Sequence, residues 1–225
     1  MGNNFMTNNN SEISMPKAES EQEFTGKLTF LNYFKRPRGL TANIGSKYET
    51  FADVNIDIKR NPSLQVIASV LNMPFVEGTF EVLYFNEVLE HLPAGSEQKA
   101  INEIQHVLKK DGALFISTPC SGVWKFVDPA YYIFSHRHYT INEVCQLLEK
   151  ADLTIKTTFT GGGIWEATNN ILYCFLLWPI RKIARLEGHL LSSMPYVYDK
   201  AGREFHLAKS KGGYDIFVYA IKKGG

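Results

Sequence analysis

The sequence predicts an α/β protein built on a mostly parallel, doubly wound sheet, and three observations carry that expectation. Short apolar runs bounded by Gly, Asn and Asp alternate from Leu40 onward with helical patterns. The order strand, helix, strand recurs, which favours parallel pairing with helices as crossovers. Acidic and imidazole groups crowd just past one run, in Asn86-Glu87-Val88-Leu89-Glu90-His91-Leu92. Open α/β sheets bind ligands there, beyond the carboxyl ends of their strands.

Each element has its own warrant. The expected strands are Leu40–Ile44, Phe51–Ile58, Leu64–Val70, Phe80–Phe85, Ala113–Ser117, Leu153–Phe159 and Tyr214–Ile221. A helix starts at Ser96 with Glu97 in its first turn. Ile101, Ile104, Val107 and Leu108 form its apolar stripe, and Asp111-Gly112 ends it. Thr140 caps a second helix running to Ala151, and Glu143 three residues on completes a capping box. Its buried face is Val144, Leu147 and Leu148.

Composition bounds the rest. The chain has 225 residues, 44% hydrophobic, with a formal charge of +1. That suits one globular domain and gives no electrostatic reason to expect nucleic acid as a partner. Cys120, Cys145 and Cys174 are far apart with no CxxC, so reduced cysteines in a cytoplasmic protein are expected. No signal peptide is evident, and Met6 breaks the myristoylation pattern that Met1-Gly2 would begin.

Residues 1–24 are rich in Asn, Ser and Glu and are expected to be a disordered tail. A helix is expected over Phe24–Phe34, ending in the basic knot Lys35-Arg36-Pro37-Arg38. Residues 25–225 form one domain, with cap elements at about 120–139 and 162–212. The tract Ile171–Ile180 is almost wholly apolar and is followed by Arg181, Lys182 and Arg185. It is too short to span a bilayer. A buried cap, a homodimer interface, or peripheral membrane contact through 171–185 all fit it.

Three groups suggest a site. Gly45, at the end of the first strand in Thr41-Ala42-Asn43-Ile44-Gly45-Ser46, would let backbone approach a ligand closely. Asp57 ends the second strand, where an acid can accept both hydroxyls of a ribose. Glu87, Glu90 and His91 are spaced i, i+3 and i+4, so on a helix they share one face.

Together these residues resemble the class I S-adenosylmethionine-dependent methyltransferases, in the small branch with a shortened first helix. The matching pieces are Asn43-Ile44-Gly45-Ser46, Val54-Asn55-Ile56-Asp57, Leu71-Asn72-Met73-Pro74-Phe75, Phe80-Glu81-Val82-Leu83, Glu87–Leu92, Leu108–Leu114 and His136-Arg137-His138-Tyr139-Thr140. The resemblance covers about residues 40–160 and implies a Rossmann-like methyltransferase sheet. That sheet has seven mostly parallel strands, an antiparallel last strand and helices on both faces. It implies S-adenosyl-L-methionine as cofactor, with Gly45 and Ser46 beside its amino acid part and Asp57 on its ribose. Ile58 would pack on the adenine, Ser69 and Val70 would flank the adenine edge, and Asn86 would line the methionine end. Two positions depart from the pattern. Lys47 stands where a second glycine is usual, and Ser69 where the adenine-binding Asp is usual.

The expected reaction is methyl transfer to a small-molecule acceptor. His91 is the candidate base by type, with Glu90 beside it and His136 or His138 in the loop after the fifth strand. The trio Glu87, Glu90 and His91 could instead bind a divalent cation, although no metal is the favoured reading. Trp124, Phe126, Tyr131, Tyr132 and Phe134 favour an aromatic or lipophilic acceptor, and with it O-methylation. The rival class is a non-catalytic methyltransferase-like binding protein, in which Lys47 and Ser69 mark an altered pocket. A nicotinamide-dependent oxidoreductase is weaker still, because Gly45 is not part of a GxGxxG.

Overall fold

A computed structural model describes residues 39–47, 49–184 and 212–224. The expected tail at 1–24, the helix at 24–34, the basic knot at 35–38 and the cap residues 185–211 lie outside these.

The strands are β1 (Thr41–Ile44), β2 (Val54–Asp57), β3 (Val66–Ile67), β4 (Phe80–Asn86), β5 (Leu108–Pro119), β6 (Leu153–Gly161) and β7 (Asp215–Lys222). They form one sheet in the order β3-β2-β1-β4-β5-β7-β6. Pairings from β3 across to β5 are parallel, and β7 lies antiparallel to both β5 and β6. The predicted mixed sheet with an antiparallel last strand is therefore present. β2 and β3 are shorter than their apolar runs suggested, because Phe51 and Leu64 fall outside the ladder.

The helices are α1 (Glu97–Val107), α2 (Pro129–Ile133), α3 (Ile141–Glu149), α4 (Ile164–Leu172) and α5 (Trp178–Ala184). Ser96 precedes α1 as expected, and Thr140 with Glu143 forms the predicted capping box of α3. Ile101, Ile104 and Val107 of α1 and Val144 and Leu148 of α3 are all buried in one core with β1, β2, β4 and β5. Each such side chain contributes roughly 1.5–3 kcal/mol on burial.

Leu108 corrects the expected helix end. It opens β5 rather than closing α1, pairing with Phe80, while Val82 pairs with Ala113, so Lys109–Gly112 bulge out between them. Glu81 sits across this bulge, ion-paired to Lys109 and accepting from the Leu40 N–H at 2.6 Å. The opposite sheet face carries an aromatic ladder beside Val82 and Ala113. Tyr84 stacks on Phe115 at 5.3 Å, and Phe115 on Tyr219 at 5.0 Å.

From α4 to α5 the chain is one continuous helix with a wide π turn, Tyr173–Leu177, in its middle. Pro179 follows directly. Its ring has no N–H and crowds the carbonyl four residues back, so the helix widens just ahead of it. No helix of the described residues is long and apolar enough to cross a membrane.

Candidate functional site

A cavity of about 690 Å³ opens at the carboxyl ends of β1 to β4. Its walls come from the turn after β1, the ends of β2 and β3, the turn after β4, and the cap.

The β1 turn is built by hydrogen bonding. Gly45 N–H and Ser46 N–H both donate to the Ile56 carbonyl, at 2.8 and 3.0 Å. Gly45 has φ +73, and a Cβ there would collide with a Val88 methyl, so only glycine fits. Lys47 also has positive φ, at 49, a conformation that costs a non-glycine residue of order 1 kcal/mol or more. Its N–H donates to Asp57 Oδ2 at 2.9 Å, and Lys59 N–H donates to Oδ1 at 2.9 Å. The two amides fix the Asp57 carboxylate at the cavity wall while leaving it lone pairs for a ligand.

Gly45, Asp57, Ile58, Ser69, Val70, His91 and His136 line the cavity, together with Lys47 and Glu87. Ser46, Asn86 and Glu90 do not line it. Ser46 and Asn86 are buried, and their side-chain polar atoms have no hydrogen-bond partner among the described residues. Ser69 Oγ accepts from Leu71 N–H at 3.2 Å, shaping the turn that faces the cavity.

The expectation that Glu87, Glu90 and His91 share a helix face is corrected. Glu87 has φ +53, and only a 3₁₀ turn, Leu89–His91, follows it. The two carboxylates are each taken up by a β5 hydroxyl, while Glu87 and His91 line the cavity and Glu90 lies buried. Ser117 Oγ donates to Glu87 Oε1 at 2.6 Å, and Thr118 Oγ1 donates to the buried Glu90 at 3.2 Å. His91 faces the cavity, with Nε2 3.7 Å from Glu90 Oε1. Among the described residues, no group of three or more His, Cys, Asp or Glu is placed to hold a metal ion. Burial, and then the nearby Glu87 charge, raise the Glu90 carboxyl well above the usual carboxylate range.

Arg137 and Tyr139 set the position of this turn. Arg137 is ion-paired to Glu97 and donates to the Leu89 and Leu92 carbonyls, and Tyr139 O–H donates to Leu89 O at 3.2 Å. The loop after β5 thus pins the His91 turn and brings His136 beside it. The two rings meet edge to face at 4.3 Å. His136 is lowered, first by burial.

Partial burial (the side chain is still 42% exposed), then the neighbouring His136, lower the His91 imidazole to about 4. The folded value lies below the unfolded 6.5, so as pH falls the unfolded chain takes up the proton first. Stability contributed here is present above 6.5 and lost on acidification towards 4. An NMR titration is expected to put the His91 ring midpoint near 4, and a midpoint at or above 6.5 contradicts the burial assigned to it.

Of the five aromatic residues expected at an acceptor site, only Phe134 lines the cavity. Trp124 instead donates from Nε1 to Gly212 O at 2.7 Å, and Tyr132 is exposed. Tyr173 and Trp178 complete the aromatic wall. They lie inside the apolar tract that the sequence presents as a cap, and its unbroken hydrophobicity hides which residues face inward. Lys59 and Arg60 also line the cavity, with nothing in the sequence to separate them from solvated surface charges.

His138 is not a cavity residue. Its Nε2 lies 3.0 Å from Asp128 Oδ2, off the axis of a good hydrogen bond, and both side chains are 1% exposed. Asp128 Oδ1 accepts from Ala130 N–H at 3.0 Å and from Asn170 Nδ2 at 2.6 Å. Asn170 Nδ2 also donates to the Tyr214 hydroxyl at 2.7 Å. Burial alone would raise the Asp128 carboxyl, but His138 and the Ala130 amide outweigh it and hold it low. This network ties α2, α4 and the start of β7 together.

Residues 47–116 match a family model described as a methyltransferase domain. An uncharacterized protein of Methanocaldococcus jannaschii is 29% identical over 82 residues, a match spanning 35% of each chain. Among solved structures, a SAM-dependent methyltransferase of Thermotoga maritima aligns with a TM-score of 0.59 at 14% identity, over 88% of each chain. A Bacillus halodurans protein provisionally described as a methyltransferase gives 0.58 at 15% identity, over 88% of this chain and 99% of that one. A Burkholderia thailandensis 1,6-didemethyltoxoflavin-N1-methyltransferase, solved with S-adenosylhomocysteine, gives 0.51 at 14% identity, over 88% and 77%. At such identities the structural likeness is one of fold.

Proposed function

On the premise that residues 47–116 are a methyltransferase domain and that the sheet is that of the class I S-adenosylmethionine-dependent methyltransferases, we propose that this chain transfers a methyl group from S-adenosylmethionine to an aromatic or lipophilic acceptor, with oxygen the favoured methyl-accepting atom. The observation that carries the reading is the meeting of the Gly45 turn and the amide-fixed Asp57 carboxylate at the wall of a nucleoside-sized cavity.

The residues present fit the cofactor. Asp57 would accept the ribose hydroxyls. Ile58 is 67% exposed on the cavity wall and offers an apolar shelf for a base. Ser69 and Val70 would border that base. The orphaned Ser46 Oγ and Asn86 side chain supply polar groups at the methionine end. Lys47, lining the same end, would meet a carboxylate better than a sulfonium. When bound, the cofactor supplies an electrophilic methyl group for an in-line displacement.

The chain's own part is then to align the acceptor, exclude water and receive the proton released as the acceptor oxygen is methylated. Phe134, Tyr173 and Trp178 would align and cover an apolar acceptor. His91 or His136 would take the proton at a ring nitrogen; both are lowered and so neutral at pH 7, and His91, at about 4, is a weak base there. Glu90 is buried behind His91 and would act as a positioning residue. The reduced cysteines suit the cytoplasm.

A second reading is favoured by Lys47, whose charge enters the cavity at the turn. The same fold serves a [4+2]-cyclase, SpnF, at a TM-score of 0.53 and 13% identity, so a binding or non-transferring role is the alternative. Calorimetric titration with S-adenosylhomocysteine separates them. Micromolar binding is expected, weakened about 10- to 100-fold by Asp57→Ala through loss of charge-assisted hydrogen bonds. No heat at millimolar ligand sinks the methyltransferase reading, and a screen of phenols and lipophilic alcohols then identifies the acceptor.

A further inference from the structure

The continuous helix α4–α5 has two unlike sides. Inward, Ala167, Cys174 and Leu177 are buried and Tyr173 and Trp178 wall the cavity. Outward, Ile171, Phe175, Leu176, Ile180 and Ile183 are exposed, Phe175 by 67% and Ile183 by 84%. With the wide turn advancing the chain less per residue than an α-helix, these five fall within an arc of roughly 100°. A regular helix would spread them over roughly 180°, so the π turn gathers them into one stripe.

We propose that this stripe docks on an anionic bilayer surface, the helix lying in the plane of the interface. From Ala167 to Arg185 the sequence has no acidic residue, and it ends in Arg181, Lys182 and Arg185. Lys182 is exposed beside the stripe, with its ammonium 5.0 Å from the Trp178 ring. An apolar stripe with cations at one end and no acid along it is the pattern that anionic headgroups attract. The tract is not built to cross the bilayer. The same helix walls the cavity, so docking would set the acceptor wall beside the lipid. In that respect the proposal deepens the lipophilic-acceptor reading and rests on it, whereas the docking itself does not.

The test is co-sedimentation of the full chain with phosphatidylcholine vesicles, with and without phosphatidylserine, at low and high salt. Pelleting with the serine-containing vesicles is expected, weakened by salt. It should fall about tenfold or more in a Phe175→Glu, Ile183→Glu double variant, since both side chains would otherwise leave water. S-adenosylhomocysteine titration of wild type and variant keeps the two readings apart: unchanged binding in both shows that the cofactor site is intact, so loss of pelleting reports on the stripe. Wild type that stays in the supernatant with both vesicle types overturns the proposal, as does a variant that pellets equally well. A dimer of the wild type that the variant abolishes, without vesicle binding, overturns it in favour of self-association.

Discussion

Replacing Asp128 by Ala is expected to destabilise the protein by about 3–5 kcal/mol, the range for removing one partner from a buried charged network. In a chain of this size that is roughly a 10 °C fall in melting temperature. The cost is large because four groups depend on one carboxylate. The Ala130 amide, Asn170 and His138 would each lose it as a partner, and Tyr214 would lose the neighbour that orients Asn170. Asp128→Asn keeps the size and one acceptor oxygen, so it should cost less than half as much. The Asp128 carboxyl is held below its ordinary value, so its contribution is present above the unfolded carboxylate range and is lost as pH falls through its folded value. Thermal melts of both variants at neutral and acidic pH check the claim. A melting temperature within a degree of wild type for Asp128→Ala would remove the network from the account of the cap.

Gly45→Ala is expected to cost about 2–4 kcal/mol and to abolish measurable cofactor binding. Two penalties coincide. Alanine at φ +73 is in the left-handed region, at roughly 1–2 kcal/mol. Its methyl would also meet Val88, which belongs to the turn carrying His91 and cannot swing away as a long flexible side chain would. Relief would have to come from moving one of the two turns, and both wall the cavity. Urea unfolding and S-adenosylhomocysteine titration measure the two effects. Gly45→Ala that binds as wild type would mean that the turn is not a ligand wall.

The sheet was largely legible because its inner strands are dense apolar runs. β4 and β7 emerge almost whole, since Phe80–Phe85 and Ile216–Ala220 are buried on both faces. The edge was overread. Leu64–Val70 looks like a strand, but only Val66 and Ile67 pair, because apolar content does not distinguish an extended edge from a turn. Leu108 satisfied the helical stripe and the strand run equally well, and the pairing with Phe80 decided it. At the cavity, the positions of Gly45 and Asp57 are legible because each is held by local backbone hydrogen bonds. The Glu87, Glu90 and His91 trio misled, since helical spacing is not helical geometry, and the positive φ at Glu87 breaks the face. Arg137 stands in the motif His136–Thr140, but its grip on two carbonyls more than forty residues earlier is a long-range contact that spacing cannot reveal.

The place of β7 between β5 and β6 bears on how the protein is made. Among the described residues, β6 has no strand partner except β7. While the ribosome is still adding residues 162–214, β6 has already emerged with nothing to pair with, and the outer edge of β5 is bare. Both present unpaired backbone N–H and C=O groups, the kind of edge that recruits other chains. The sheet closes only when Asp215–Lys222 threads between them, and Lys222 then reaches back to the Leu108 carbonyl at 2.9 Å, at the start of β5. Completion of the fold therefore waits on a late segment, and a product truncated before β7 would keep two open edges.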